Sequence, residues 1–156
     1  MDIVLDSIKN FFGNYMLMSA VVAWLSAQII KIFTGAFQNR KMSLKSLLFS
    51  SGGMPSSHAA AVVSLSVAAG LSQGFGSAVF AACGVFAMIV MIDASGVRYE
   101  TGKQSQIINK ITNELFSGDM DMLNTGLKEL VGHTPFQVFM GFLLGIAIAV
   151  IMYFVM

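Results

Sequence analysis

Residues 134–156 read TPFQVFMGFLLGIAIAVIMYFVM, a run without a single charged side chain. About 20 mostly apolar residues are enough for a helix to cross the hydrocarbon core of a bilayer. This run therefore predicts a membrane-spanning helix. Three earlier stretches have a similar character, and they predict further spans at 15–36, 56–72 and 76–97.

The composition of the whole chain also indicates a membrane protein. Hydrophobic residues make up 56% of the chain and charged residues only 11%, whereas soluble domains carry about a quarter charged residues. The net charge of +1 gives no basic signature for nucleic-acid binding. The single cysteine, Cys83, allows neither an internal disulfide nor a CxxC metal site. We predict one all-α domain, residues 1–156, that forms an integral membrane helical bundle of about four spans surrounded by membrane lipids.

Two segments outside the spans predict helices that do not cross the bilayer. Residues 2–12 place apolar side chains at helical spacing, so they form either an interfacial helix or an extension of the first span. Asp2 and Asp6 stand where a signal peptide would be basic, so we expect no cleavable signal. Residues 99–132 form a polar insert for which we expect one or two amphipathic helices over the site side, with a break at residues 117–119.

The polar residues at the ends of the predicted spans fall on one side of the membrane. With four spans, the C-terminal ends of the first and third share a side with the N-terminal ends of the second and fourth. The residues placed there are Gln28, Lys31, Arg40, His58, Asp93, Arg98 and His133. All lysines and arginines except Lys9 also fall on this side, and such residues favour the cytoplasm. We therefore predict a site on the cytoplasmic side of the cell (plasma) membrane.

Two of the predicted span starts carry a histidine beside glycine, hydroxyl and proline residues. Residues 51–58 read SGGMPSSH, and residues 132–137 read GHTPFQ. A helix N-terminus that follows small residues presents backbone N–H groups to an anion. The two histidines, His58 and His133, can exchange protons near neutral pH. Taken alone, the first motif also fits a capped helix with a structural histidine.

Cationic residues complete an arrangement suited to phosphoryl transfer. Lys31, Arg98 and Arg40 can bind phosphate oxygens, arginine through a bidentate contact. For Lys31 the alternative is a side chain that snorkels to the interface. For Asp93, an acid in an apolar run, the alternative to a functional role is a structural ion pair with Arg98. One histidine would attack phosphorus and the other would protonate the leaving alkoxide, and no acidic cluster in the sequence requires a metal ion.

These motifs resemble a known family. Residues 55–58, PSSH, are similar to the Pro-Ser-Gly-His signature of the type 2 phosphatidic acid phosphatases, abbreviated PAP2. Residues 52–58, 93–98 and 133–135, in this order, resemble the divergent branch of that superfamily, which is related to acid phosphatases and vanadium-dependent haloperoxidases. The resemblance covers most of the chain.

The resemblance implies a membrane phosphatase that works without a metal or another cofactor. His133 would be the nucleophile that forms a phosphohistidine, and His58 would be the general acid for the leaving group. The substrate would be a lipid phosphate such as phosphatidylglycerophosphate, phosphatidic acid or a polyprenyl phosphate. The residues that would bind its phosphate group are Lys31, Arg40, Ser56, Ser57 and Arg98.

The chain departs from the family pattern at three places. The polar insert separates Arg98 from His133, as in the divergent branch, and Ser57 stands where glycine is usual. Gln137 stands one helical turn after His133, where the family places an acid that orients the imidazole and stabilises its cation. Either the activity is weakened, or Asp93 supplies the carboxylate, or the chain carries an inactivating substitution.

Other functions remain open from the residues alone. A lipid- or anion-binding membrane protein, such as a transporter or a scaffold, would keep the pocket without turnover and would tolerate Gln137. A haloperoxidase is disfavoured because those enzymes are largely soluble. Gly141 and Gly145 permit close packing of the last span against another helix, and they could also serve a homodimer.

Overall fold

The computed structural model describes residues 2–37, 53–115 and 132–156, and these ranges form six α-helices. The helices are α1 (Asp2–Phe12), α2 (Tyr15–Phe37), α3 (Ser57–Gln73), α4 (Ala78–Ser95), α5 (Val97–Leu115) and α6 (Pro135–Val155). The all-α prediction is confirmed. The predicted bounds of the first, second and fourth spans agree closely with α2, α3 and α6.

Serine side chains begin two of these helices. The hydroxyl oxygen of Ser56 accepts a hydrogen bond from the N–H of Ala59 at 3.4 Å at the start of α3. Ser77 does the same for α4, where it accepts from the N–H of Phe80 at 3.1 Å. Each bond satisfies a donor that the first helical turn leaves unpaired. Pro135 lies in the first turn of α6, where its missing N–H has no partner to lose.

Helix α3 lies at the centre of the bundle and packs against α2, α4 and α6. Small side chains allow helix backbones to approach closely, and such packing holds helices together in a bilayer, where the hydrophobic effect between helices is lost. Large apolar side chains instead cover the outside of the bundle, among them Phe33, Ile89 and Phe139. The residues that α3 buries are Ser57, Ala59, Ala60, Val63, Ser64, Ser66, Ala68, Ala69 and Gly70.

Two glycines of α6 make a close contact with α3. A Cβ atom at Gly141 would overlap the backbone oxygen of Ser56, and one at Gly145 would lie 2.6 Å from the backbone oxygen of Ala60. The prediction that these glycines allow close helix packing is confirmed. The contact lies within the chain, and the idea that the same two glycines serve a homodimer stays a prediction.

We expect Gly141→Ala to lower the free energy of unfolding by about 1–3 kcal/mol, because an added methyl group would push the two backbones apart. Thermal unfolding of the detergent-solubilised protein measures this loss. Gly76→Ala is the matched control, since a Cβ atom at Gly76 meets no atom within 4 Å. Its effect should stay within about 0.5 kcal/mol, and equal melting temperatures for the two variants would contradict the close contact.

Three helical stretches have the length and apolar composition of membrane spans: Tyr15–Thr34, Ala78–Thr112 and Pro135–Val155. The predicted second span corresponds to α3, which is not among them. Its 17 residues measure about 26 Å at 1.5 Å per residue, which is less than the roughly 30 Å of the hydrocarbon core. The chain is therefore a helical membrane protein with three candidate spans.

The N-terminal segment forms a helix of its own. Gly13 and Asn14 separate α1 from α2, so α1 is not an extension of the first span. Its apolar side chains are exposed, as expected of a helix that lies in the membrane interface. They are Ile3, Val4, Leu5, Ile8, Phe11 and Phe12.

The third predicted span ends earlier than expected. Helix α4 stops at Ser95, and the backbone N–H of Gly96 bonds to the oxygen of Ile92 at 2.8 Å. Helix α5 then begins at Val97 and provides one of the expected helices of the polar insert, in contact with α4. The predicted break at residues 117–119 and the second amphipathic helix lie outside the described residues.

Candidate active site

Lys31, near the C-terminal end of α2, is a buried cation. Its side chain is only 3% exposed, and its Nζ donates a hydrogen bond to Oγ of Ser57 at 3.1 Å. This burial removes the alternative that the side chain snorkels to the interface. Within residues 2–37, 53–115 and 132–156, no carboxylate pairs with it. Because a buried ammonium group without a counter-ion is unfavourable, the space around Nζ is suited to an anion.

The loop before α3 is held against α2, close to Lys31. The hydroxyl of Thr34 donates a hydrogen bond to the backbone oxygen of Met54 at 3.0 Å. Gly53 has a φ of +95°, which favours glycine, and a Cβ atom there would lie 3.7 Å from Cγ of Lys31. These contacts position the start of α3 beside Nζ. Gly53 belongs to the glycine-containing motif, whereas Thr34 carries no sequence signal for this contact.

Ser56 and Ser57 have different environments despite their adjacent positions. Ser57 contacts the Lys31 ammonium group, as a phosphate-binding hydroxyl would. The hydroxyl of Ser56 is fully buried and caps α3, so its predicted role in phosphate binding is not supported by this geometry. The backbone N–H of Ser56 donates to the backbone oxygen of Gln137 at 3.0 Å. This bond joins the start of α3 to the start of α6.

His133 lies directly before α6 and is 4% exposed. Its Nδ1 is 3.2 Å from Oε1 of Gln137, and the same oxygen accepts the backbone N–H of Thr134 at 3.1 Å. The Thr134 N–H can only donate, so the group of the Gln137 side chain that faces it must be the amide oxygen. Because this oxygen can only accept, Nδ1 of His133 must carry a proton. Nε2 of the neutral ring then carries the lone pair. In the described ranges this buried Nε2 has no hydrogen-bond partner.

The environment of His133 keeps its ring neutral. Burial lowers the pKa of His133 below its ordinary value, because the imidazolium would lose its hydration. The hydrogen bond with Gln137 raises this pKa in part, while the positive charges of Lys31, His58 and Arg98 lower it further. Near neutral pH, Nε2 is therefore unprotonated and able to act as a nucleophile.

His58 lies in the first turn of α3, and its side chain is exposed. The charges of Arg98, Lys31 and Asp93 are close enough to act on it electrostatically. An exposed imidazole among these groups can exchange protons with water. This position fits a general acid better than a nucleophile.

Asp93 and Arg98 form an ion pair where α4 meets α5. Nε of Arg98 donates to Oδ2 of Asp93 at 2.6 Å, and the two side chains are 61% and 41% exposed. The structural alternative for Asp93 is therefore observed. The suggestion that Asp93 supplies the missing carboxylate is corrected, because the amide of Gln137 contacts Nδ1 of His133 while Asp93 bonds to Arg98.

Gly132 brings the loop that carries His133 against the start of α5. A Cβ atom at Gly132 would overlap the backbone of Arg98 and Tyr99, so a larger residue does not fit without a shift. This contact explains how the end of the polar insert returns to Arg98. The sequence motif includes this glycine but does not reveal its partner.

The structure thus gathers the predicted residues at one end of the bundle, with one position untested. Arg40 lies outside the described residues. In the part of the chain that the structure describes, no group of three or more histidine, cysteine or acidic side chains is arranged to hold a metal ion. The gathered residues are Lys31, Ser57, His58, Asp93, Arg98, His133 and Gln137.

Comparison with known proteins identifies the family. The family model of the divergent PAP2 proteins matches residues 12–148, which include every residue of this site. The chain belongs to the divergent PAP2 family. This divergent PAP2 protein is 40% identical to the uncharacterized membrane protein YuiD of Bacillus subtilis (strain 168), with 92% of this chain and 97% of the relative covered. No solved structure gives a significant match.

Proposed function

We propose that this divergent PAP2 protein is a lipid phosphate phosphatase that cleaves a phosphomonoester through a phosphohistidine at His133. The observation that carries the proposal is the buried Nε2 of His133, which has a free lone pair and no partner in the described ranges. The buried Lys31 cation also supports it, because its charge acts on the same histidine.

In the first step, Nε2 of His133 attacks phosphorus. The N–P bond forms while the P–O bond to the lipid alkoxide breaks. Lys31, Arg98 and the N–H groups at the start of α3 stabilise the negative charge on the equatorial oxygens. His58, as imidazolium, gives its proton to the leaving alkoxide.

In the second step, water attacks the phosphohistidine. His58 is now neutral and takes a proton from this water, while the N–P bond breaks and its electron pair returns to Nε2 of His133. Inorganic phosphate then leaves. The exposed position of His58 suits its two roles, and Gln137 keeps the proton on Nδ1 of His133 in place throughout.

The proposed substrates are phosphatidylglycerophosphate, phosphatidic acid or a polyprenyl phosphate. The apolar exterior of the bundle supports a substrate that stays in the bilayer while its phosphate reaches the pocket. In this proposal α3 crosses the membrane as a fourth span, and the site faces the cytoplasm from the cell (plasma) membrane. The placement of basic residues supports this sidedness, and a homodimer remains a prediction.

Phosphate release from a panel of lipid phosphates by the purified protein tests the proposal. We expect release from at least one of them, and brief reaction with a ³²P-labelled substrate should leave an acid-labile label on the protein. Absence of both phosphate release and label across the panel would rule the proposal out.

Gln137 favours a second candidate, a lipid- or anion-binding membrane protein without turnover. When His133 attacks phosphorus, its ring gains positive charge, and a neutral amide balances this charge less well than a carboxylate does. In that case phosphate would bind but no phosphohistidine would form.

We expect Gln137→Glu to raise kcat on the order of a hundredfold and to move the acid limb of the pH profile to higher pH. The new carboxylate would accept a hydrogen bond from Nδ1–H of His133 and stabilise the imidazolium. This stabilisation raises the pKa of His133. Since only the unprotonated ring attacks, activity would then appear at higher pH. Glutamate also suits the capping box of α6, in which Thr134 and Gln137 bond reciprocally. Rate measurements across pH for both proteins test this.

Gln106→Glu provides the matched control, because it adds the same charge at an exposed position of α5. It should change neither the rate nor the pH profile. If Gln137→Glu binds phosphate but shows no gain in hydrolysis, the binding protein becomes the better candidate.

A further inference from the structure

Gln28 is a buried polar residue that the proposed reaction does not use. Its side chain is 6% exposed, and its Oε1 has no hydrogen-bond partner in the described part of the chain. A buried acceptor left without a donor is unfavourable, because it has lost its hydrogen bonds with water. The position therefore requires a hydrogen-bond donor.

Gln28 lies one helical turn before Lys31 on α2. Residues three apart on a helix are neighbours, with about 5–6 Å between their Cβ atoms. Lys31 contacts Ser57 of α3, and Ala27, next to Gln28, packs against Ala60 of α3. Both side chains are buried, one helical turn apart on α2.

The charge of this space decides which form of phosphate fits. The charge of Arg98 is balanced by Asp93, and the imidazolium of His58 is exposed to water, so Lys31 is the one buried charge among the residues the structure describes. A single buried positive charge matches a singly charged anion, because any excess charge is unfavourable to bury. A phosphate monoester with one negative charge keeps one P–OH group, and this hydrogen needs an acceptor.

We propose that Oε1 of Gln28 accepts the P–OH hydrogen, so that the pocket takes the phosphate group in its singly charged, hydroxyl-bearing form. The inference rests on the proposed function, since it specifies the ionic form of the same substrate group. Sulfate has a similar shape but carries two charges and no hydrogen. The pocket should therefore discriminate against it.

Calorimetric titration with inorganic phosphate and with inorganic sulfate tests this, at a mildly acidic pH where phosphate is mainly singly charged. The unmodified protein should bind phosphate about ten- to a hundredfold more tightly than sulfate. Gln28→Met keeps the length of the side chain but lacks the acceptor. This variant should bind phosphate about ten- to a hundredfold more weakly than the unmodified protein does. Its affinity for sulfate should be unchanged. Leu25→Met, at an exposed position of α2, should change neither affinity.

A parallel loss of both anions in Gln28→Met would indicate a structural role and would overturn the inference. If that variant does not fold, the titrations of the unmodified protein still test the inference. Equal affinities for phosphate and sulfate would contradict it. Turnover separates this result from the proposed function. A preference for phosphate over sulfate without hydrolysis of any lipid phosphate would support the role of Gln28 and contradict the proposed phosphatase activity. Hydrolysis of a lipid phosphate without this preference would support the phosphatase activity and contradict the role of Gln28.

Discussion

His133→Ala should abolish phosphate release, with kcat lowered by about 10⁴-fold or more. The variant has no Nε2 to form the N–P bond, and water attacking phosphorus directly would lack the activated nucleophile. The measurements are steady-state phosphate release with the best lipid phosphate and trapping of the acid-labile label. Neither should be detected above background.

His58→Ala provides the comparison, because it removes the other imidazole of the site. Without the general acid, substrates whose leaving group needs protonation should react slowly, whereas an aryl phosphate with a good leaving group should still form the phosphohistidine. His133→Ala should fail with both kinds of substrate. If His133→Ala retains the activity of the unmodified protein, His133 is not the nucleophile.

Lys31→Met should lower kcat/KM by about 10²–10³-fold, because the phosphate would lose the buried charge that stabilises its oxygens. The same change should leave the melting temperature equal or higher. Lys31 is buried without a carboxylate in the described ranges, and replacing an uncompensated buried charge by an apolar side chain relieves its desolvation. Kinetics and thermal unfolding of the same preparation measure the two effects.

Lys9→Met is the matched control, since Lys9 lies exposed on α1, away from the site. It should alter neither kcat/KM nor stability. A Lys31→Met variant that loses stability together with activity would assign Lys31 a structural role instead.

The bounds of α2, α3 and α6 could be predicted because their signals are local. An apolar run sets the length of each helix, and Pro135 marks where α6 begins. The end of α4 could not be predicted in the same way. Gly96 and Val97 are uncharged, so they continue the apolar pattern across the turn that the backbone makes at Gly96.

The gathering of the site residues could be predicted from the alternating direction of the spans, whereas their individual contacts could not. Ser56 shows the reason, because a helix cap and a phosphate ligand share one local pattern. The partner of Gly132 depends on a contact between distant parts of the chain. The ion pair between Asp93 and Arg98 could not be predicted over a contact between Asp93 and His133, because the spacing in the sequence allows both.

The small-residue interior of α3 has a consequence for how the protein is made. A helix rich in alanine and serine gains little from lipid alone, so its position in the bundle depends on neighbours that it contacts, among them Gly141 and Gly145 of α6. Of the described helices, α6 leaves the ribosome last. Until then α3 has no partner on that face, and the hydrogen bond from the backbone of Ser56 to that of Gln137 cannot form. The packing of α3 and the assembly of the candidate site therefore depend on the same step, the arrival of α6.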